Sequence, residues 1–399
     1  MASGRCPSGW KGGWTLLLTA LFLSACAPRT PQRPVLTVEE LLRDGAEAGL
    51  DRGNPFELDD AIRAQVEREV GFGGTPVERI RRIVRFLNDR VSLHFQYQSN
   101  VSLTAVEAFH QRKGDCLSYT NLFLGIARHL KIPAYFVHVS EARNYYERGG
   151  IFFVSTHMAV GYGGGSIGQG GSPYTVIVDF TEEASDWRLY LYQAVDDATA
   201  VALFYNNIAV DRMLEGRVEE AERMVRYLLS RRPAMKELSN NLSVLLMRQG
   251  RYGEALQILE EAMGRFPAYQ PLYTNAVQAA RGAGRPDLAQ VFLNRGRKVA
   301  EEDPFFLFNE GVNAFREGRL EFAEERFRKA LKKQPNNPFL YAWLSRVLLQ
   351  AGREAEGVEA FRKAEELAPG HPLLRSLKDD FPVLATLRPL SPEPVPPPP

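Results

Sequence analysis

Gly216, Gly250, Gly284, Gly318 and Gly352 stand 34 residues apart, and no other feature of the 399-residue chain narrows its fold as much. The same period carries Ala221, Ala255, Ala289 and Ala323, with Gly357 in the fifth register. It also carries Pro233, Pro267, Pro335 and Pro369, with Glu301 in place of the third proline. Glycine fits the tight turn between paired helices, alanine lets two helices approach closely, and proline stops the second helix. Self-similarity at this period means a stack of two-helix units, each burying its apolar face only against its neighbours. Five units are expected, over 202–235, 236–269, 270–303, 304–337 and 338–371. The spacing thus predicts an all-α solenoid over 202–371 and excludes one globular core for the whole chain.

Asn207, Asn241, Asn275 and Asn309 recur at one position in the first helix of four successive units, with Trp343 in the fifth. Helix geometry places them as a ladder along one surface. An amide donates and accepts at once, so such a ladder can grip a peptide backbone whatever its side chains. Asparagine also recurs in such columns for packing, so peptide binding and packing both account for it.

The three cysteines differ in kind. Arg5 and Lys11 precede a mostly apolar run from Trp14 to Ala25 that ends in Leu23-Ser24-Ala25-Cys26. The run is shorter than the roughly 20 residues a spanning helix needs, but it fits the apolar part of a secretory signal. Residues 1–25 are therefore expected to be a signal peptide that takes Cys6 with it. The small residues before Cys26 resemble a bacterial lipobox, which implies cleavage before Cys26, its lipidation (palmitate and related acyl chains) and attachment to a membrane through the lipid. Each buried CH₂ contributes about 0.8 kcal/mol to such an anchor. In the Gram-negative lipoproteins that this segment resembles, Ala27 rather than Asp after the cysteine implies the outer membrane, facing the periplasm. Residues 26–35 read as a polar tether, and 372–399, nearly all proline from Leu390 onward, as a Pro-rich tail.

Cys116 is then the one thiol expected to remain in the mature chain, which is unusual for an exported protein and worth explaining. It opens a segment whose apolar residues Tyr119, Leu122, Phe123, Ile126 and Leu130 follow helical spacing, with Asp115 suited to the N-cap. At the first helical position the partial positive charge of the helix end favours a thiolate, as a sulfur nucleophile requires. A buried small hydrophobe at a helix start is the plainer alternative. The helix stops at Ile132-Pro133, Ala134 to Val139 alternates as a strand, Ile151 to Val160 carries His157, and Tyr174 to Phe180 carries Asp179. A helix-borne cysteine followed by strand-borne histidine and aspartate is the order of a Cys-His-Asp triad in papain-like folds. His157 would take and return the proton, and Asp179 would hold the imidazole tautomer.

Over roughly 75–195 the chain resembles the transglutaminase-like superfamily. The resemblance rests on Gly114-x-Cys116, the helix ending Ala127-Arg128, Ile132-Pro133-Ala134, the His157 strand, and Asp179-Phe180-Thr181 where that family has Asp-Pro-Thr. Met158-Ala159-Val160 departs from it, since many relatives have an aromatic residue there. The 34-residue grid resembles tetratricopeptide repeats. Together they imply an α+β papain-like, transglutaminase-like domain over 36–200 followed by the solenoid.

The other histidines, His94, His110, His129 and His138, share no metal-ligand spacing and are expected to be structural. The glycines of 161–171 lack the Gly-Lys-Ser/Thr of a phosphate cradle and read as a loop beside the cleft. No metal or cofactor is implied. Lys+Arg 49 against Asp+Glu 48 gives a net charge of +1, which argues against nucleic acid as a partner. For an oxyanion donor, the Cys116 backbone N–H is one candidate, with Gln96, Tyr97 or Gln111 as its side-chain partner. The expected function is cysteine-dependent amide chemistry, hydrolytic or acyl-transferring, on a polypeptide delivered by the solenoid. An envelope scaffold that binds partners without turnover is the alternative.

Overall fold

The computed structural model describes residues 36–99, 101–148, 151–163, 176–178, 180, 191–369 and 372–387. Among the described residues the chain first forms α1 (Val38–Gly45), α2 (Asp60–Glu69), α3 (Pro76–Asn88), β1 (Gln96–Tyr97), α4 (Ala105–Gln111), β2 (Lys113–Gly114) and α5 (Cys116–His129). The helix starts are written in local chemistry: Thr37, Thr75 and Thr104 each form a capping box with the glutamate three residues on. The short β1 and β2 pair in parallel, Gln96 with Lys113 and Tyr97 with Gly114.

Next come β3 (Tyr135–Arg148), β4 (Ile151–Tyr162), β5 (Val176–Val178) and β6 (Leu191–Val195), an antiparallel sheet in the order β5-β4-β3-β6. β3 and β4 extend beyond the sheet as a long hairpin, with a register shift between Val139 and Asn144. α5 packs against β4 and is buried on all sides from Cys116 to Ala127, its polar Ser118, Thr120 and Asn121 included.

The solenoid follows as α6 (Asp197–Leu214), α7 (Val218–Arg231), α8 (Lys236–Arg248), α9 (Tyr252–Arg265), α10 (Gln270–Gly282), α11 (Pro286–Glu302), α12 (Pro304–Arg316), α13 (Leu320–Lys333), α14 (Pro338–Gln350) and α15 (Glu354–Leu367). All five turn glycines have positive φ, from 71° to 85°, where any side chain would be strained. Ala221, Ala255, Ala289 and Ala323 are buried. Where Glu301 replaces the proline, α11 runs for 17 residues against 14 in α7, α9, α13 and α15.

Two boundaries differ from the sequence expectation. α6 begins at Asp197, inside the segment assigned to the first domain, because Asp196 caps it through the Thr199 N–H. Residues 372–387, expected to belong to the tail, instead form α16 (Pro372–Asp380) and α17 (Pro382–Ala385), whose Leu374, Leu377 and Leu384 bury against Phe361 and Ala364. They close the apolar end of the last repeat, as a terminal cap must.

The first repeat is fastened to the α+β domain by a dense set of contacts. Arg128 makes a bidentate pair with Asp197 (2.6 and 2.8 Å) and lies over the Phe56 and Phe136 rings. Tyr205 donates to the Gly53 carbonyl and accepts from the Arg52 N–H, and Arg212 pairs with Asp51 at 2.8 Å. β4 also lies against α8 and α10.

Candidate functional site

The local fold around Cys116 is built from its neighbours. Gly114 has φ +155°, and a Cβ there would stand 2.4 Å from the Ser118 Cβ. Only glycine lets the chain pass, which accounts for the Gly-x-Cys spacing. Asp115 caps α5: its carboxylate accepts from the Ser118 N–H at 2.8 Å and lies 2.7 Å from the Ser118 hydroxyl. The Ser118 hydroxyl in turn accepts from the Leu103 N–H at 2.7 Å. Ser102 donates to the other Asp115 oxygen, and the Asp115 N–H donates to the Val101 carbonyl. Burial pushes the Asp115 carboxyl up from its ordinary value, while these donors pull it down.

Cys116 therefore sits in the first turn of a capped helix, buried and outside any disulfide. His157 is equally enclosed, at 8% exposure, on β4 opposite Val139, at the edge of the register shift. Irregularities of this kind re-aim side chains beside functional sites. One hydroxyl ties the two segments: Thr120 Oγ1 lies 2.7 Å from the Cys116 carbonyl and 3.1 Å from that of Met158, the residue after His157. The Thr120–Cys116 bond follows from helical spacing, but the Met158 bond depends on tertiary packing and has no local signal.

Asp179 lies outside the described residues, as do Cys26 and the other residues of 1–35. Its flanks are described. Val178 pairs with Val160, and Phe180 stacks on Tyr119 at 4.2 Å, edge-on to Phe95 at 5.5 Å. The phenylalanine that departs from Asp-Pro-Thr thus anchors this strand end on α5, one turn beyond Cys116. Burial raises the Tyr119 hydroxyl well above its ordinary value, keeping it neutral.

β1 brings Gln96 and Tyr97 beside Lys113 and Gly114, which lead into Asp115, while Gln111 is exposed at the end of α4. His110 lies 3.3 Å from Asp59, and His129 2.9 Å from Glu67. Among the described residues no group of three His, Cys, Asp or Glu side chains could hold a metal, and no helix is long and apolar enough to cross a membrane.

The asparagine column departs from a peptide-binding ladder. Asn241 donates to Asn206 at 2.9 Å, Asn240 to Asn241 at 3.2 Å, and Asn275 to Asn240 at 2.8 Å, all buried. These amides are joined across three repeats and turned inward, where α8 is buried from Glu237 to Met247 and β4 lies against α8 and α10. Asn207 donates instead to Ser102 at 3.0 Å. Asn309 alone of the four is exposed. Between α10–α11 and α12–α13 lies a cavity of about 330 Å³ with Tyr273, Val277, Phe292 and Phe306 in its wall and the Glu310–Arg326 pair at its side.

Comparison with known proteins agrees with this architecture. A model of the transglutaminase-like superfamily matches residues 64–161. Tetratricopeptide-repeat models match 207–269 and 308–372, and, in a second form, 246–304. No curated protein matches the chain. Among solved structures it is similar to YrrB, titled a TPR protein with an unusual peptide-binding site (20% identity, 45% of this chain and 92% of that one, TM-score 0.25). It is also similar to TTC0263, a thermophilic TPR protein of Thermus thermophilus (22% identity, 46% and 100%, TM-score 0.25). A third is MamA 41-end from Desulfovibrio magneticus RS-1 (19% identity, 43% and 97%, TM-score 0.24).

Proposed function

From a transglutaminase-like domain followed by tetratricopeptide repeats, we propose a cysteine-dependent amide hydrolase or acyltransferase that acts on a polypeptide held by its repeats. The observation that carries this is the placement of Cys116 in the capped first turn of α5, joined through the Thr120 hydroxyl to the strand of His157. His157 takes the thiol proton, and Cys116 Sγ attacks the carbonyl carbon of a carboxamide or peptide bond. The C–N bond breaks, the nitrogen leaves with the proton from His157, and a thioester remains on Sγ. Water or a primary amine then attacks, giving its proton to His157 as the C–S bond breaks and the thiolate returns. Asp179 keeps the role of orienting His157. Exposed Asn309 and the cavity between the third and fourth repeats belong to the surface offered to the polypeptide.

In this proposal the chain is exported, acylated at Cys26 and tethered to the outer membrane by 26–35, facing the periplasm. Incorporation of a labelled fatty acid that Cys26→Ser abolishes supports it, and labelling that survives the change refutes it. For the chemistry, the full chain is mixed with a glutamine-rich polypeptide and a primary-amine label. A thioester adduct on Cys116 by intact mass, with label transfer or ammonia release absent in Cys116→Ala, is expected. Capture of the polypeptide without adduct or turnover favours the envelope scaffold, a reading consistent with Cys116 and His157 both lying under one-tenth exposed.

A further inference from the structure

The solenoid reaches the nucleophile helix through a short polar chain. Asn207, on α6 in the first repeat, donates from Nδ2 to the Ser102 hydroxyl at 3.0 Å. A hydroxyl has one proton, and Ser102 directs its own to Asp115 Oδ2. The other Asp115 oxygen accepts the Ser118 N–H and so closes the first turn of α5, where Cys116 is the first residue. Ser102 and Asp115 are 5% and 6% exposed, so water does not replace a missing member at no cost.

We infer that Asn207 is a positioning residue for Cys116: by fixing the Ser102 hydroxyl it holds the Asp115 cap in the form that sets the nucleophile against the His157 strand. The inference rests on the nucleophile assignment above. It gives the first repeat a part in the chemistry of the neighbouring domain, and it assigns Asn207 a task different from the buried amides of the second and third repeats.

The test uses the full chain with Cys6→Ser and Cys26→Ser, leaving Cys116 as its only thiol. The rate of iodoacetamide alkylation is followed against pH, and the unfolding midpoint is measured alongside, for the parent, His157→Ala, Asn207→Ala, Asn207→Gln, Ser102→Ala and Asn241→Ala. Asn207→Ala and Ser102→Ala are expected to slow alkylation on the acid side of the profile about fivefold, the size of one buried hydrogen bond. Asn207→Gln, which keeps an amide donor, is expected to restore most of the rate. Asn241→Ala is expected to lower the unfolding midpoint without displacing the profile. If the parent profile depends on His157 but survives Asn207→Ala and Ser102→Ala, or if Asn241→Ala displaces it equally, the positioning inference fails alone. A parent profile indifferent to His157→Ala overturns the nucleophile assignment and this inference with it.

Discussion

Replacing Asp211 with Asn removes a buried ionisation from the join between the two domains. Asp211 is half-buried on α6, and its carboxyl is pushed up to about 6 from 3.8, first by burial, then by the charge of Asp115, with Glu215 adding and Arg52 opposing. A folded-state value above the unfolded one means that the native protein binds the proton more tightly. Stability from this group is therefore full below about pH 4, falls as pH rises, and is lost above about pH 6. A shift of about two pH units corresponds to roughly 3 kcal/mol, and solvent screening at a half-buried site brings the expected effect to about 1–2 kcal/mol. Asn keeps the shape and cannot ionise. Urea unfolding of Asp211→Asn against the parent is expected to show that gain at about pH 8 and almost none at about pH 4. An equal difference at both pH values, or a loss at the higher one, refutes a carboxyl raised chiefly by its burial.

Asn275→Ala leaves the Asn240 oxygen without its donor inside α10's interface and is expected to cost about 1–3 kcal/mol in thermal or urea unfolding. Capture of a polypeptide by the remaining repeats should be unaltered, and a variant that is weak in capture but fully stable would restore the peptide-ladder role. Gly114→Ala forces a Cβ onto the Ser118 side chain and is expected to destabilise the α5 cap by about 1–3 kcal/mol, with Cys116 alkylation slowed; an unchanged midpoint and rate would show that Ser118 can move aside. Arg128→Ala removes the bidentate pair to Asp197 and the packing on Phe56 and Phe136, and is expected to cost about 2–3 kcal/mol, read as a lower urea midpoint for the first repeat. A loss confined to a few tenths would mean that α6 is held by its other contacts, those of Tyr205 and Arg212 among them.

Local rules carried well from sequence to structure where one residue type answers one backbone need. The turn glycines take positive φ, the alanine column is buried, and Asp115 caps the helix that Cys116 opens. The single break in the proline column had a direct structural counterpart in the longer α11. What failed to show was set by contacts far apart in the chain. Asparagines recurring at the repeat period suggest a ladder along one surface, for binding or for packing, and with β4 lying against α8 and α10 the amides of Asn241 and Asn275 bond inward to Asn206 and Asn240. The leucines of 373–377 are amphipathic, but the proline string after them masked a capping helix. The Thr120 and Ser102 bonds join segments 38 and 13 residues apart, and neither has a spacing that sequence periodicity can register.

The central claim is that Cys116 and His157 act as one unit, and the rate of Cys116 alkylation with and without His157 measures it most directly. With Cys116 as the sole thiol, the account predicts an alkylation rate that falls at least about tenfold in His157→Ala. A thiol that reacts at the same rate with and without His157 would contradict it.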